Sequence, residues 1–208
     1  MRFLRVFSVL VVVFVSAVTV GAQPPGGQPR GAPQAGGTQR KPMIMTITGF
    51  ADGSDVPVKY TVAGDETSPG ITWTNTPAGT VSFLLHMHDM EGSRDRTTDD
   101  TLQWLVWNIP GSETGIPEGI PKGTQLQNGA YQISGGQTRS NRDAAYRGPG
   151  APAAGPRHHY VFELFALDTK VDVQPGADPY ETSTNALKAI QGHILGKAVY
   201  VGLFRRPQ

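Results

Sequence analysis

The chain has no cysteine among its 208 residues. That excludes thiol nucleophiles, disulfide staples and any metal centre that needs a thiolate. It also lacks an excess of either charge: 18 Lys and Arg stand against 17 Asp and Glu, for a formal net charge of +1. No long-range field draws the molecule to nucleic acid, so a partner must be chosen by local chemistry. Three signatures are missing as well: a G-x-S-x-G nucleophile elbow, a P-loop and a dinucleotide-binding glycine pattern. Ser93 and Ser140 fall in expected loops from which either could approach a histidine, but nothing orients such a pair, so catalysis has no positive signal. No internal repeat is present.

What is there begins with Met1 to Ala22. Basic Arg2 and Arg5 precede an apolar run from Val6 to Val20, which closes on the small residues Gly21 and Ala22. This reads as a secretory signal peptide cleaved before Gln23, giving an exported protein, periplasmic or secreted. An uncleaved membrane anchor is the rival reading, because the run is short for a span but not far from one. Without a cysteine at the junction, a lipid anchor is disfavoured. Residues 23–42 are Gly, Pro, Gln, Ala and Arg with almost no apolar side chains, a flexible linker that cannot offset the entropy of ordering. Its scattered Arg30, Arg40 and Lys41 support at most a peripheral membrane contact.

Residues 43–208 read as one domain with enough apolar residues to bury a core. Short β-type segments, Ile44–Ile47, Val56–Val62, Ile71–Trp73 and Val81–Met87, are cut by turn-rich stretches. Leu102–Ile109 and Tyr160–Leu167 are the strongest strand candidates and are expected in the centre of the main sheet. In the first, Gln103, Leu105 and Trp107 alternate against Trp104, Val106 and Asn108. In the second, Tyr160, Phe162, Leu164 and Ala166 share the face opposite Val161, Glu163 and Phe165. Glu181–Ile190 has a helical apolar stripe, with Ser183 or Thr184 as its expected cap. Ala198–Phe204 reads as the last strand. Residues 111–155 have few apolar side chains and read as one long loop, which Ile116, Ile120, Leu126, Tyr131 and Ile133 can pin to the sheet. The class that follows is mainly β and antiparallel.

Chemistry-bearing residues collect at three places. Asp89 and Glu91 stand one residue apart, Gln103 begins a strong strand, and a Gly148-Pro149 loop runs toward His158-His159-Tyr160. Carboxylates, imidazoles, a phenol and a Gly/Pro loop suit a concave site for a small anion or polar headgroup. His86 and His88 share a strand face and, with Asp89 and Glu91, carry enough N and O donors for zinc, which makes them subsidiary metal candidates. The three tryptophans, Trp73, Trp104 and Trp107, are expected in the core, and His193 in packing or capping.

These pieces resemble, in order and wording, the phosphatidylethanolamine-binding protein family in its bacterial Raf-kinase-inhibitor-like branch. Ser68-Pro69-Gly70-Ile71-Thr72-Trp73 is similar to SPPLxW, and Gln103-Trp104-Leu105-Val106-Trp107-Asn108-Ile109-Pro110 to HWVVxNIP. Gly148-Pro149 through His158-His159-Tyr160 resembles GPxPP…HRY, and Ala189 through Leu195 resembles AxxGHxL. The family's DPDxP stands here as Asp89-Met90-Glu91-Gly92-Ser93, with both prolines gone, and its pocket histidine is replaced by Gln103.

The resemblance implies a β-sandwich-like fold, a large central sheet plus a smaller one, with one or two short helices near the C-terminus. It also implies a pocket built from Asp89, Glu91, Gln103, Gly148, Pro149, His158 and Tyr160, the loop turning its backbone N–H groups toward the ligand. His159 should point to the opposite face. The expected function is non-enzymatic binding of a small anionic or phosphate-containing ligand, with a protein partner to modulate, no required metal or cofactor, and a homodimer as one open oligomeric state. Gln103 cannot become cationic as histidine can, which bears on ligand choice. Two rivals stay open: an acid–base enzyme using Asp89 and His158 on a small phosphorylated or glycosidic substrate, and a protease-inhibitor or interaction module using the 111–155 loop.

Overall fold

The computed structural model describes residues 41–93, 97–135 and 143–208. The expected signal peptide, nearly all of the linker and Ser140 lie outside them. A small sheet joins β1 (Ile44–Ile47), β3 (Ile71–Thr74) and β6 (Gly115–Ile116) in the order β1-β3-β6. The large sheet contains β2 (Ser54–Asp55), β4 (Ser82–Ser93), β5 (Asp100–Pro110), β7 (Tyr131–Ile133), β8 (His158–Leu167) and β9 (Ile194–Phe204), in the order β2-β9-β8-β4-β5-β7. Every pairing is antiparallel except β2 with β9. Among the described residues one α-helix, α1 (Pro179–Ala189), follows β8. This is the mainly β, two-sheet fold expected.

Both faces of the large sheet are covered. One core joins it to the small sheet through Met45, Ile71, Trp73, Phe83, Leu85, Met87, Trp104 and Phe162. The other packs Leu84, Leu105, Trp107 and Phe165 against Tyr180, Ala186 and Ile190 of the helical segment. The period of two therefore sorts β8 as its sequence predicts: Tyr160, Phe162, Leu164 and Ala166 all enter the first core. All three tryptophans are buried, and each indole N–H has an acceptor: the Glu113 carbonyl at 3.1 Å for Trp73, the Gln132 side chain at 2.9 Å for Trp104 and the Val173 carbonyl at 3.0 Å for Trp107. A buried N–H without a partner would cost about 1–3 kcal/mol, so these bonds make large aromatic burial affordable in a β core.

Several local expectations are corrected. Val56–Val62 is not a strand; Pro57, at φ −56° and ψ 141°, leads into a 3-10 turn at Val58–Tyr60 closed by Thr61 N–H to the Val58 carbonyl. The helix begins earlier than its apolar stripe suggests, because Asp178 caps it, accepting from the Tyr180 and Glu181 amides at 2.8 and 3.4 Å with Pro179 at the first turn. Thr184 instead donates back to the Tyr180 carbonyl at 2.9 Å, in mid-helix. The 111–155 region is not one loop, since β6 adds to the small sheet and β7 to the large one. Its expected pins do bind it: Ile116 and Ile133 are buried, and Ile120, Leu126 and Tyr131 pack against the two cores. Ser93 closes β4 rather than lying in a loop, and His193 is half-exposed rather than packed, its Nδ1 2.8 Å from an Asp168 carboxylate oxygen, while its backbone N–H caps the helix end by donating to the Ile190 carbonyl at 3.0 Å.

Candidate functional site

β4 runs beyond its apolar stretch and carries the acidic motif out of the sheet. Its register against β8 sets Asp89 opposite Tyr160. Since His158 lies two residues before Tyr160, both rings stand on the Asp89 side of the sheet, 6.4 Å apart between centroids and 21° from parallel. The His158 Nδ1–H donates to the Asp89 carboxylate, 3.0 Å from each oxygen. Asp89 Oδ1 also accepts the Glu91 and Gly92 amides, both at 3.1 Å. A carboxylate bonded this way fixes the imidazole's tautomer and aim, leaving Nε2 as the ring's free hydrogen-bonding atom.

Tyr160 is fully buried. Its oxygen accepts the Gly150 and Ala151 amides at 3.0 and 2.9 Å. Burial, then the neighbouring Asp89 charge, pushes the phenol well above its ordinary pKa. The loop after Gly148-Pro149 thus spends two backbone N–H groups on Tyr160, not on open space. Gly148 itself is required by crowding: a Cβ there would lie 2.4 Å from the Tyr60 carbonyl oxygen. The Pro149 carbonyl accepts the Val62 amide at 3.1 Å, tying the loop to the segment after the 3-10 turn.

Glu91 brings a carboxylate oxygen close to Asp89 and His158, but its hydrogen bonds go elsewhere. Its carboxylate grips His159, accepting the backbone N–H and meeting ring Nδ1, both at 2.7 Å. Partial burial opposes ionisation of Glu91, but the His159 bonds outweigh it and hold its pKa below the ordinary carboxylate value. His159, expected to be a bystander on the far face, therefore has a definite partner. Gln103 is buried, and its side-chain oxygen has no hydrogen-bond partner. It sits at a register shift in which Met87 pairs with Trp104 and His88 with Leu102, so strict alternation fails there. Arg147 and Tyr146, next to Gly148 in sequence, line a cavity of about 490 Å³ with Asp65 to Ser68 and Lys122; Asp89, His158 and Tyr160 are not among its walls.

The phosphatidylethanolamine-binding protein family profile matches residues 46–205. The chain belongs to that family. A UPF0098 protein of Methanothermobacter thermautotrophicus is 35% identical over 164 residues, 79% of this chain and 99% of that protein. YbhB of Escherichia coli is 28% identical, with 78% of this chain and 99% of YbhB covered. A candidate lipoprotein of Mycobacterium tuberculosis, LppC, is 31% identical, covering 79% of this chain and 73% of its own length. Among solved structures, Escherichia coli YbcL, described as a member of the mammalian family, superposes with a TM-score of 0.66 at 23% identity, covering 80% of this chain and all of YbcL. A Chlamydia trachomatis homologue gives 0.65 at 24%, covering 80% and 99% of the two chains. These two likenesses bear on the fold.

Within the family frame, the structure gathers Asp89, His158 and Tyr160 on one side of the sheet, with His158 bonded to Asp89 and Tyr160 to the Gly150 and Ala151 amides. Gly92, which sequence reasoning passed over, belongs with them. Its amide holds Asp89, its carbonyl accepts the Thr101 hydroxyl at 2.6 Å, and a Cβ there would lie 2.5 Å from that hydroxyl oxygen.

The four donors His86, His88, Asp89 and Glu91 do not form one centre. Alternation along β4 sends His86 and His88 to the helix-covered face, where Glu163 of β8 meets them, while Asp89 and Glu91 gather near His158 on the other side.

Proposed function

We propose that Asp89, His158 and Tyr160 form the floor of a binding site for a small anion, such as a phosphate-bearing headgroup or a phosphorylated or carboxylate group on a partner. The observation that carries this reading is the pair of 3.0 Å contacts from His158 Nδ1 to Asp89, which hold a ring only 18% exposed with Nε2 unengaged. When that nitrogen is protonated it offers a charge-assisted donor to an oxyanion. Gln103, which the family pattern assigns to the same site, has a buried amide oxygen that still needs a donor; a ligand ammonium or hydroxyl, or a reoriented amide, answers that need. Gly148 and Pro149 shape the rim, and Glu91 acts indirectly by fixing His159.

The site belongs, in this reading, to an exported protein whose signal peptide ends near Ala22 and whose linker spans residues 23–42. Support comes from the composition of the first 22 residues and from the candidate lipoprotein relative. Among the described residues no helix is long and apolar enough to cross a membrane. A Raf-kinase-inhibitor-like role would take the form of partner modulation through a phosphorylated group on that partner.

An acid–base enzyme would use the same Asp89–His158 pair. Glycoside cleavage needs a second working carboxylate, and Glu91 is occupied by two bonds to His159, which favours binding over that chemistry.

The test is a thermal-shift titration of the purified protein and of His158→Ala with phosphate, phosphoethanolamine, sulfate and acetate. A ligand at a hundredfold excess over Kd adds about 2.7 kcal/mol to the native state. The expected result is a rise in Tm for the parent with a phosphate compound and none for the variant. Equal shifts in both proteins would move the site away from His158, and no shift in either would turn attention to a protein contact through residues 111–155.

A further inference from the structure

On the opposite face of the large sheet, three side chains converge in a way the anion site does not use. β4 and β8 pair with His86 opposite Glu163, and the period of two adds His88 to the same face. Glu163 Oε2 lies 3.5 Å from His86 Nδ1 and 3.5 Å from His88 Nε2. Those separations are too long for good hydrogen bonds, and both histidine nitrogens are buried with no hydrogen-bond partner. The side chains of His86 and His88 are only 13% and 12% exposed. Three groups that can each present a lone pair thus face one another at the wall of a cleft of about 330 Å³, closed on its far side by Tyr180 and Thr184 of α1.

We propose that His86, His88 and Glu163 bind a borderline divalent transition-metal ion, with zinc as the reference case. In a tetrahedral zinc site with bonds of about 2.0–2.1 Å, neighbouring ligand atoms stand about 3.3–3.4 Å apart. Both His-to-Glu163 distances are 3.5 Å, close to that edge. Two imidazoles and one carboxylate form a donor set that suits zinc, and the cleft leaves a fourth position for water.

The surrounding residues support the three ligands. His88 Nδ1–H donates to Asp100 at 2.6 Å, which fixes the tautomer and leaves the Nε2 lone pair for the ion. Lys197 holds the other oxygen of Glu163, so the carboxylate binds through Oε2 alone. Asp100 and Glu163 supply two negative charges against the one of Lys197. The two rings are stacked at 4.6 Å and 11°, so each must turn about χ2 to bring its lone pair, which lies in the ring plane, onto a shared ion. This inference is independent of the anion site and survives its failure.

The experiment is a titration of the purified, tag-free, chelator-stripped protein with zinc chloride by calorimetry, and with cobalt chloride by visible absorption. Expected are one ion per chain, a cobalt spectrum of tetrahedral intensity, and at least tenfold weaker binding in His88→Gln and Glu163→Gln, with His158→Gln unchanged. Asp100→Asn, at a more exposed position, should weaken binding about 10–100-fold with the three ligands intact, as loss of a supporting carboxylate does elsewhere. Circular dichroism of each variant identifies any that fails to fold, and Asp100→Asn carries the test if a ligand variant does. No uptake by the parent protein overturns the proposal. So does uptake lost in His158→Gln but kept in His88→Gln, which would assign the ion to Asp89, Glu91 and His158.

Discussion

Tyr160→Phe removes one oxygen atom and two hydrogen bonds from the centre of the candidate anion site. The ring keeps its place in the core, so the change isolates the hydroxyl. Ala151 is buried and its amide loses its acceptor, while the partly buried Gly150 amide loses the same one. Asp89 keeps the Glu91 and Gly92 amides and the His158 ring. A buried donor left unpaired costs about 1–3 kcal/mol, and the void left by one oxygen is too small to admit a water that would replace it. Counting Ala151 in full and Gly150 in part gives a loss of about 2–4 kcal/mol, or roughly 5–15 °C in Tm for a domain of this size. Urea unfolding followed by tryptophan fluorescence measures it, with an unchanged slope showing that the unfolded state is the same. Tyr146→Phe is the control, since that buried hydroxyl makes a single bond to the Tyr60 carbonyl at 2.8 Å and its removal should cost about 0.5–1.5 kcal/mol. If Tyr160→Phe costs no more than Tyr146→Phe, the loop amides are satisfied elsewhere and the reasoning fails. The parent should also lose stability above about pH 10, where the unfolded phenol ionises and the folded one, with its raised pKa, does not. That alkaline loss should be smaller in Tyr160→Phe.

Two further perturbations probe features at a distance from that hydroxyl. Asp178→Ala removes the N-cap of α1 and should cost about 1 kcal/mol, read as a lower urea midpoint; Asp178→Asn should recover most of it. Glu91 has a folded pKa held below 4.5, so its contribution is present above that pH and is lost as pH falls through the folded value. Between pH 5 and 3 the parent's Tm should therefore fall more steeply than that of Glu91→Gln, and parallel curves would show that the His159 clasp adds no stability.

The fold was largely readable because its main strands are long, rich in apolar residues and bounded by breakers. Tyr160 to Leu167 alone defined two faces, and both were filled as the pattern required. The short elements were not readable: β6 and β7 are two and three residues long, and their place in a sheet depends on neighbours far along the chain. At Pro57 a strand-like composition gave way to a 3-10 turn, and the Asp178-Pro179 cap signal was passed over for hydroxyl residues further along. For the site, Asp89, His158 and Tyr160 were legible from their motifs. What their atoms do was not: the Gly150 and Ala151 amides turn to Tyr160, and His159 takes Glu91. Glu163 drew no notice as a partner for His86, since only the β4–β8 register reveals that they meet.

The parallel pairing of Ser54 with Gly202 and of Asp55 with Leu203 joins the two ends of the domain's strand sequence. β8 depends on the same late segment, because β9 is its outer neighbour along nearly its whole length. A ribosome delivers Ser54 long before Leu203, so the large sheet cannot close during most of synthesis. Bringing such distant residues together costs about 4 kcal/mol of loop entropy before any contact rewards it, and folding dominated by pairings of this kind is slow. On the export reading proposed above, a chain that stays open until its last strand arrives would meet translocation still unfolded.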